Sequence, residues 1–211
     1  MIKVKICGLS DAEALDAAID AGADWVGFVF FQASPRFITP PAAAILSDRA
    51  RGGPLRVGLF VEPTDALVAE VLDTVPLDIL QVYGRAMDLP AMKARFGLPI
   101  WRPVGVTAAA DLPTGPLGAD ALLLEAKPPA EASRPGGNAT TFDWALLRDW
   151  TAPAPWLLAG GLTPNNVATA IEQTGAAAVD VSSGVERMRG VKDPALIRAF
   201  IQAARQARPS V

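Results

Sequence analysis

One thiol and one carboxylate stand where an unpaired polar side chain is expensive. Cys7 is the only cysteine, and it closes the run Ile2-Lys3-Val4-Lys5-Ile6-Cys7. A free thiol has a pKa of ~8.5, and a nearby cation such as Lys5 lowers it, so Cys7 is a candidate thiolate base. A small inert core residue is the plainer fate of a lone cysteine, and both readings stay open. Glu125 follows Leu122-Leu123-Leu124. A carboxylate there is costly unless it is paired or neutral. A raised pKa would suit a general acid near neutral pH; a solvated rim position or a pairing with Lys127 is the alternative. Arg36, in Ser34-Pro35-Arg36, carries a planar fork that could hold a carboxylate bidentately, unless it is an ordinary exposed arginine. The sequence has no histidine. That removes a Ser-His-Asp triad, a His-ligated zinc and a His general base. Proton transfer must fall to Cys, Asp, Glu, Lys or Tyr.

Two stretches near the end suit an anion. In Val179-Asp180-Val181-Ser182-Ser183-Gly184-Val185-Glu186 the valines alternate with Asp180 and Ser182, so the two sets point to opposite faces of a strand. The Ser182-Ser183-Gly184 turn offers amides, hydroxyls and little bulk, as a phosphate requires. Trp156-Leu157-Leu158-Ala159 runs likewise into Gly160-Gly161, with Thr163 as a helix N-cap and Pro164 at the first helical position. Each alone reads better as a plain tight βα turn. Together they suggest the phosphate site that eight-stranded barrels build after strands seven and eight.

These residues need strands to hold them, and strand-like and helix-like segments alternate throughout. Strands are expected at Ile2–Cys7, Trp25–Phe30, Arg56–Val61, Ile79–Tyr83, Pro99–Val106 and Ala121–Ala126, then at the two stretches above. Helices fall between them: one opened by the capping-box pattern Ser10-Asp11-Ala12-Glu13, one capped by Thr39-Pro40, then Asp65–Leu72, Leu89–Phe96, a weak Thr107–Leu112, Trp144–Trp150, Asn165–Gln173 and Pro194–Ala207. Eight strand–helix repeats predict a parallel sheet. The expectation is α/β, a single-domain (β/α)₈ TIM barrel over residues 1–211; a doubly wound open sheet is the alternative. Barrel chemistry sits at the C-terminal strand ends. There stand Cys7, Gln81, Tyr83, Glu125 and Asp180. Lys3, Lys5 and Cys7 share one strand face, so all three should point inward. A buried lysine needs a partner, and Asp180 on the neighbouring last strand is the expected partner of Lys5. Lys127 to Thr141 holds five Pro and Gly residues and is too long for a plain turn. It reads as an active-site lid or a disordered insertion.

Composition narrows the partners. The chain is 51% hydrophobic with net charge −3 and no basic block, so it is expected to be globular with no nucleic-acid partner. No apolar run would span a bilayer, and the first residues read as a strand rather than a signal peptide, so no membrane association and a cytoplasmic location are expected. One cysteine allows no internal disulfide and no Cys-cluster metal site. The chain is expected to act as a monomer.

Taken together, several motifs resemble phosphoribosylanthranilate isomerase. They are Lys5-Ile6-Cys7-Gly8-Leu9, Ser34-Pro35-Arg36, Gly136-Gly137 leading to Phe142-Asp143-Trp144, Gly160-Gly161-Leu162-Thr163-Pro164-Asn165-Asn166-Val167, Asp180 to Glu186, and Gly190-Val191-Lys192-Asp193. They run in family order over essentially the whole chain. The resemblance implies a barrel enzyme of tryptophan biosynthesis with no cofactor and no metal. It implies an Amadori rearrangement of N-(5-phosphoribosyl)anthranilate to 1-(2-carboxyphenylamino)-1-deoxyribulose 5-phosphate. Cys7 would be the general base and Glu125 the general acid. Arg36 would position the anthranilate, with Gln81, Tyr83 and Asp180 also touching substrate. Gly160, Gly161, Ser182, Ser183 and Gly184 would cradle the phosphate.

The sequence departs from the family pattern at three places. The acid is usually an aspartate; Glu125 adds a methylene, about 1.5 Å of reach. Tyr83 stands where the family commonly has histidine, and Asn138-Ala139 where a further glycine is common. A related sugar-phosphate isomerase of the histidine-pathway type, an indole-glycerol-phosphate synthase, or a phosphate-binding barrel without turnover are the other readings.

Overall fold

Period-two alternation gives each strand two faces, and both are buried. The computed structural model describes residues 1–84, 87–127 and 141–208. Eight parallel strands close into a barrel in sequence order: β1 (Lys3–Cys7), β2 (Trp25–Val29), β3 (Leu55–Val61), β4 (Ile79–Tyr83), β5 (Ile100–Val106), β6 (Ala121–Ala126), β7 (Trp156–Leu158) and β8 (Ala178–Val181). β8 pairs back onto β1, with Lys5 opposite Asp180. The outward residues, among them Val4, Ile6, Val26, Phe28, Phe60 and Leu80, pack against the helices in one continuous core. Burying each such phenylalanine contributes about 1.5–3 kcal/mol. The inward residues Trp25, Val57, Ile79, Trp101, Leu123 and Leu157 fill the N-terminal end of the barrel. Trp25 and Trp101 meet there edge to face, their rings 5.1 Å apart. This plug closes one end, so the cavity can open only at the other.

Six α-helices surround the strands: α1 (Ala12–Asp20), α2 (Pro40–Arg49), α3 (Asp65–Thr74), α4 (Leu89–Phe96), α5 (Val167–Thr174) and α6 (Pro194–Gln206). Aspartates at the closed end tie neighbouring strands together. Asp24, Asp78 and Asp120, each just ahead of an even-numbered strand, accept the amides of Val4, Arg56 and Ile100 on the preceding odd one. Each bond satisfies a backbone donor that the ladder leaves open.

Several local expectations change. After β5 and β6 the expected helices are short 3₁₀ turns, Ala109–Asp111 and Trp144–Leu147. Asp111 turns back to accept the amides of Thr107 and Ala108, which ends the first turn early. The cap of α1 is Asp11, not Ser10: its carboxylate accepts from Ala14 at 2.9 Å. Thr163 is not a side-chain cap. Asn166 accepts its amide at 2.8 Å, and α5 begins at Val167, past the turn that Pro164 opens. Lys3 is exposed at the closed rim, lying over the Trp25 ring, because the tryptophan plug fills the interior at that level. A two-stranded hairpin, β9 (Glu186–Met188) with β10 (Val191–Lys192), follows β8 and was not expected. Of the expected lid, Lys127 to Thr141, residues 128–140 lie outside the described residues. No helix among the described residues is long and apolar enough to cross a membrane.

Candidate active site

A cavity of about 660 Å³, its open mouth included, lies at the C-terminal end of the barrel. Its walls bring together Cys7 from β1, Gln81 and Tyr83 from β4, Glu125 from β6 and Asp180 from β8. Arg36 reaches it from the loop after β2. Gly160, Gly161, Ser182 and Ser183 reach it from the loops after β7 and β8. Of the expected site residues only Gly184 does not face the cavity.

The expected pair on β1 and β8 is present. Lys5 is fully buried, and its Nζ donates to Asp180 Oδ1 at 2.8 Å. Gly27, opposite Cys7 on β2, makes room for this pair. A side-chain carbon there would lie 3.0 Å from Cys7 Sγ and 3.3 Å from Lys5 Nζ, so thiol and ammonium flank one small space. Burial alone would lower the Lys5 pKa, but Asp180 and then Cys7 outweigh it and raise it. Removing one partner strands the other as an uncompensated buried charge. Asp180→Ala is therefore expected to cost about 3–5 kcal/mol in urea unfolding. A loss under about 1 kcal/mol, the size of an exposed pair, would show that the pair does not hold the barrel.

The thiol corrects one expectation. Burial raises Cys7 above its ordinary 9.0, and Lys5 and Lys192 offset only part of that rise, which Asp180 reinforces. The nearby cation does not make Cys7 a preformed thiolate. Glu125 behaves as expected of a carboxyl at the end of a leucine run. Burial lifts it from 4.5 to about 8, with Asp180 adding to the rise and Tyr83 and Lys5 opposing it. At neutral pH it holds its proton. Burial, then Glu125, raises the Tyr83 phenol well above 10, so Tyr83 stays neutral. Gln81 is 1% exposed, and neither its amide nitrogen nor its amide oxygen has a hydrogen-bond partner among the described residues. Buried polar atoms are normally satisfied. An amide left open on a cavity wall is poised for a ligand that can both donate and accept.

Arg36 is buried and does hold a carboxylate bidentately, but that carboxylate is Glu186, at the start of β9. Its Nε lies 2.5 Å from Oε1 and its Nη2 3.1 Å from Oε2. Burial would raise Glu186; the Arg36 fork, Lys192 and the Gly190 amide instead bring it down to about 2. Ser182 also differs from the expectation of an open hydroxyl. Its Oγ donates to the Cys7 carbonyl at 3.1 Å and accepts from Lys192 Nζ at 3.2 Å.

The phosphate turns are backbone devices. Gly160 and Gly161 both adopt left-handed φ, +80° and +64°, which other residues enter only at a cost. Among the described residues the amides of Gly160, Gly161, Ser183 and Gly184 donate to no protein acceptor. Such unpaired amides on two adjoining loops form a nest for an anion.

The family model for N-(5'phosphoribosyl)anthranilate (PRA) isomerase matches residues 4–203. The N-(5'-phosphoribosyl)anthranilate isomerase of Acidiphilium cryptum (strain JF-5) is 57% identical over 207 residues, covering 98% of this chain and 100% of its own. The chain belongs to this isomerase family. Solved family members share the architecture. TrpF from Jonesia denitrificans is 38% identical with a TM-score of 0.82, and 97% of each chain is covered. A phosphoribosyl anthranilate isomerase in complex with reduced 1-(o-carboxyphenylamino)-1-deoxyribulose 5-phosphate is 32% identical with a TM-score of 0.80, covering 97% of this chain and 99% of its own.

Within the family frame, Gly184 acts from behind the cavity wall. A side-chain carbon at Gly184 would fall 1.8 Å from the Leu162 carbonyl oxygen. The loops after β7 and β8 touch through bare backbone, which holds their amides in one nest. Gly184→Ala must separate the loops, at a cost of about 1–3 kcal/mol. A lower melting temperature and weaker binding of phosphate ligands are expected. Wild-type phosphate affinity in this variant would mean that the nest does not need the contact. Sequence reasoning missed Glu186 and Lys192 as parts of the site. Both stand in quoted motifs, and Gly190 between two short alternating runs was the available hairpin signal.

Proposed function

We propose that this cavity carries out the Amadori rearrangement of N-(5-phosphoribosyl)anthranilate, with Cys7 as general base and Glu125 as general acid. One observation carries the reading. The only thiol shares a single cavity with a carboxyl that keeps its proton at neutral pH, a buried arginine and two loops of open amides. The anion nest of Gly160, Gly161 and Ser183, its two loops held together at Gly184, takes the phosphate. Arg36 takes the anthranilate carboxylate with the part of its fork that Glu186 leaves open. Gln81 and Tyr83 contact the sugar, and Ser182 serves by fixing the nest rather than by donating its hydroxyl.

The proposed chemistry is proton transfer. Glu125 gives its proton to the ring oxygen as the bond from that oxygen to carbon 1 breaks. The nitrogen lone pair forms the carbon–nitrogen double bond of a protonated Schiff base. Cys7, as the thiolate, then takes the proton from carbon 2; the electron pair left behind forms the carbon 1–carbon 2 double bond, and the carbon–nitrogen π pair returns to nitrogen, giving an enolamine. Tautomerisation gives the ketone. Holding both ends of the substrate fixes the reacting carbon between base and acid, where orientation lowers the barrier most. Gly160, packed on the Glu125 backbone and Cβ, leaves space at this strand end for the longer acid. The proposed partner is this small sugar phosphate alone, with a cytoplasmic, monomeric enzyme.

The test is a steady-state assay with substrate generated in situ, following the loss of anthranilate-type fluorescence. Turnover is expected. Absence of turnover while phosphate ligands still bind would overturn the reading.

A further inference from the structure

Behind the cavity wall lies a charge cluster that none of the proposed catalytic steps uses. Lys192, on β10, has a fully buried side chain. Its Nζ donates to the Ser182 carbonyl at 2.8 Å, to Ser182 Oγ at 3.2 Å and to Glu186 Oε1 at 2.9 Å. Three acceptors take three N–H bonds, which only the charged ammonium possesses. The Glu186 side chain is only 5% exposed. It accepts from Lys192, from the Gly190 amide at 3.0 Å and from two nitrogens of Arg36. The cluster thus holds two cations and one anion, all sheltered from water. A buried excess charge is costly unless something compensates it.

The excess has a direction. Lys192 and Glu186 neutralise each other out of reach of a ligand, since all three Lys192 protons are taken. Arg36 alone borders the cavity. Its Nη1 has no acceptor among the described residues. Without Lys192, Glu186 would cancel Arg36 and the cavity would face a neutral ion pair.

We propose that Lys192 is a positioning residue for the anionic substrate: it absorbs the charge of Glu186, so that Arg36 is held rigid by a carboxylate yet presents a net positive charge to the anthranilate carboxylate. The same ammonium clamps Ser182, the residue that leads into the phosphate nest and bonds to the Cys7 carbonyl. One buried lysine therefore serves both ends of the substrate without touching it. This inference rests on the proposed substrate.

The experiment measures binding of two probes by calorimetry. One is reduced 1-(2-carboxyphenylamino)-1-deoxyribulose 5-phosphate, and the other is its phenylamino counterpart, which lacks the ring carboxylate. Wild type is expected to prefer the carboxylated probe by roughly ten- to a hundredfold, the span of a charge-assisted bond. Lys192→Met should bring that ratio close to one. Lys192→Met with Glu186→Gln should restore it, because Arg36 regains its excess charge. Loss of a purely structural lysine would weaken both probes alike and leave the ratio unmoved, and that result overturns the inference. Glu186→Gln alone keeps both cations and should hold the ratio at or above wild type. If Lys192→Met does not fold, that variant and the double one decide the matter, and a ratio near one in both overturns it. Wild type binding neither probe would overturn the substrate reading itself; both probes bound with the ratio unmoved in Lys192→Met overturns only the role of Lys192.

Discussion

Replacing Cys7 by serine is expected to lower kcat by about 10²–10⁴-fold, the usual contribution of a general base. Affinity for the reduced product analogue should change little. The substitution exchanges sulfur for a slightly smaller oxygen and keeps the contacts of a side chain that is already buried. What it removes is acidity: a hydroxyl gives up its proton far less readily than a thiol. Among the described residues no other cavity side chain is free to take over. Lys5 is charged and bound to Asp180, and Tyr83 holds its proton to well above pH 10. Glu125 is the proposed acid. Activity in Cys7→Ser near that of the wild type would remove the thiol from the mechanism.

Glu125→Gln is expected to lose turnover by about 10²–10⁴-fold, because an amide has no acidic proton to transfer to the ring oxygen. Glu125→Asp should be tolerated or even faster. Gln activity equal to that of Glu would mean that the general acid is elsewhere. The pH profile of kcat/KM carries the same assignment. In the proposed mechanism the working form needs a thiolate and a protonated Glu125, yet Cys7 lies above 9.0 and Glu125 at about 8. Below pH 8 the thiolate fraction grows about tenfold per unit while Glu125 stays protonated, so the rate rises. Between the two pKa values the gain in thiolate is cancelled by loss of the acid, and the profile is flat. Above the pKa of Cys7 the rate falls. The lower bend, at about 8, belongs to the acid rather than the base. Stability gives an independent reading. Between pH 4.5 and about 8 the folded protein keeps the Glu125 proton that the unfolded chain has released. Raising the pH through this window therefore destabilises the native state. Glu125→Gln should flatten that slope in urea titrations at pH 5, 7 and 9. An unaltered slope would show that burial does not raise this carboxyl.

The barrel was legible because it rests on local pattern. Alternation on β1 and β8 marked the inward faces, and the tight Gly and Ser turns after β7 and β8 marked the end at which an anion could sit. Lys5 opposite Asp180 followed from two facts available in the sequence: a lysine on a buried face needs a counter-charge, and the first and last strands of a closed barrel are neighbours. Glu125 as a proton-holding acid was expected from the leucines before it, which mark a buried strand, and desolvation by burial is indeed the largest cause of its raised pKa.

What the sequence could not decide was the outcome of competing tertiary terms. Lys5 next to Cys7 predicted a lowered thiol pKa, but the depth of burial, which depends on all eight strands, outweighs the cation. Arg36 was readable as a carboxylate fork, but not that Glu186, 150 residues away, already fills part of it. Ser182 was readable as a phosphate hydroxyl until Lys192 and the Cys7 carbonyl claimed it. The sequence by itself determined the architecture and the strand ends where chemistry is expected, because periodicity is a local property, while the base and acid candidates gained their weight from motifs that resemble the family. Only the tertiary structure decided which charges face the cavity and which cancel behind it, because electrostatic balance in a dry interior is a sum over residues that the fold, not the chain order, brings together.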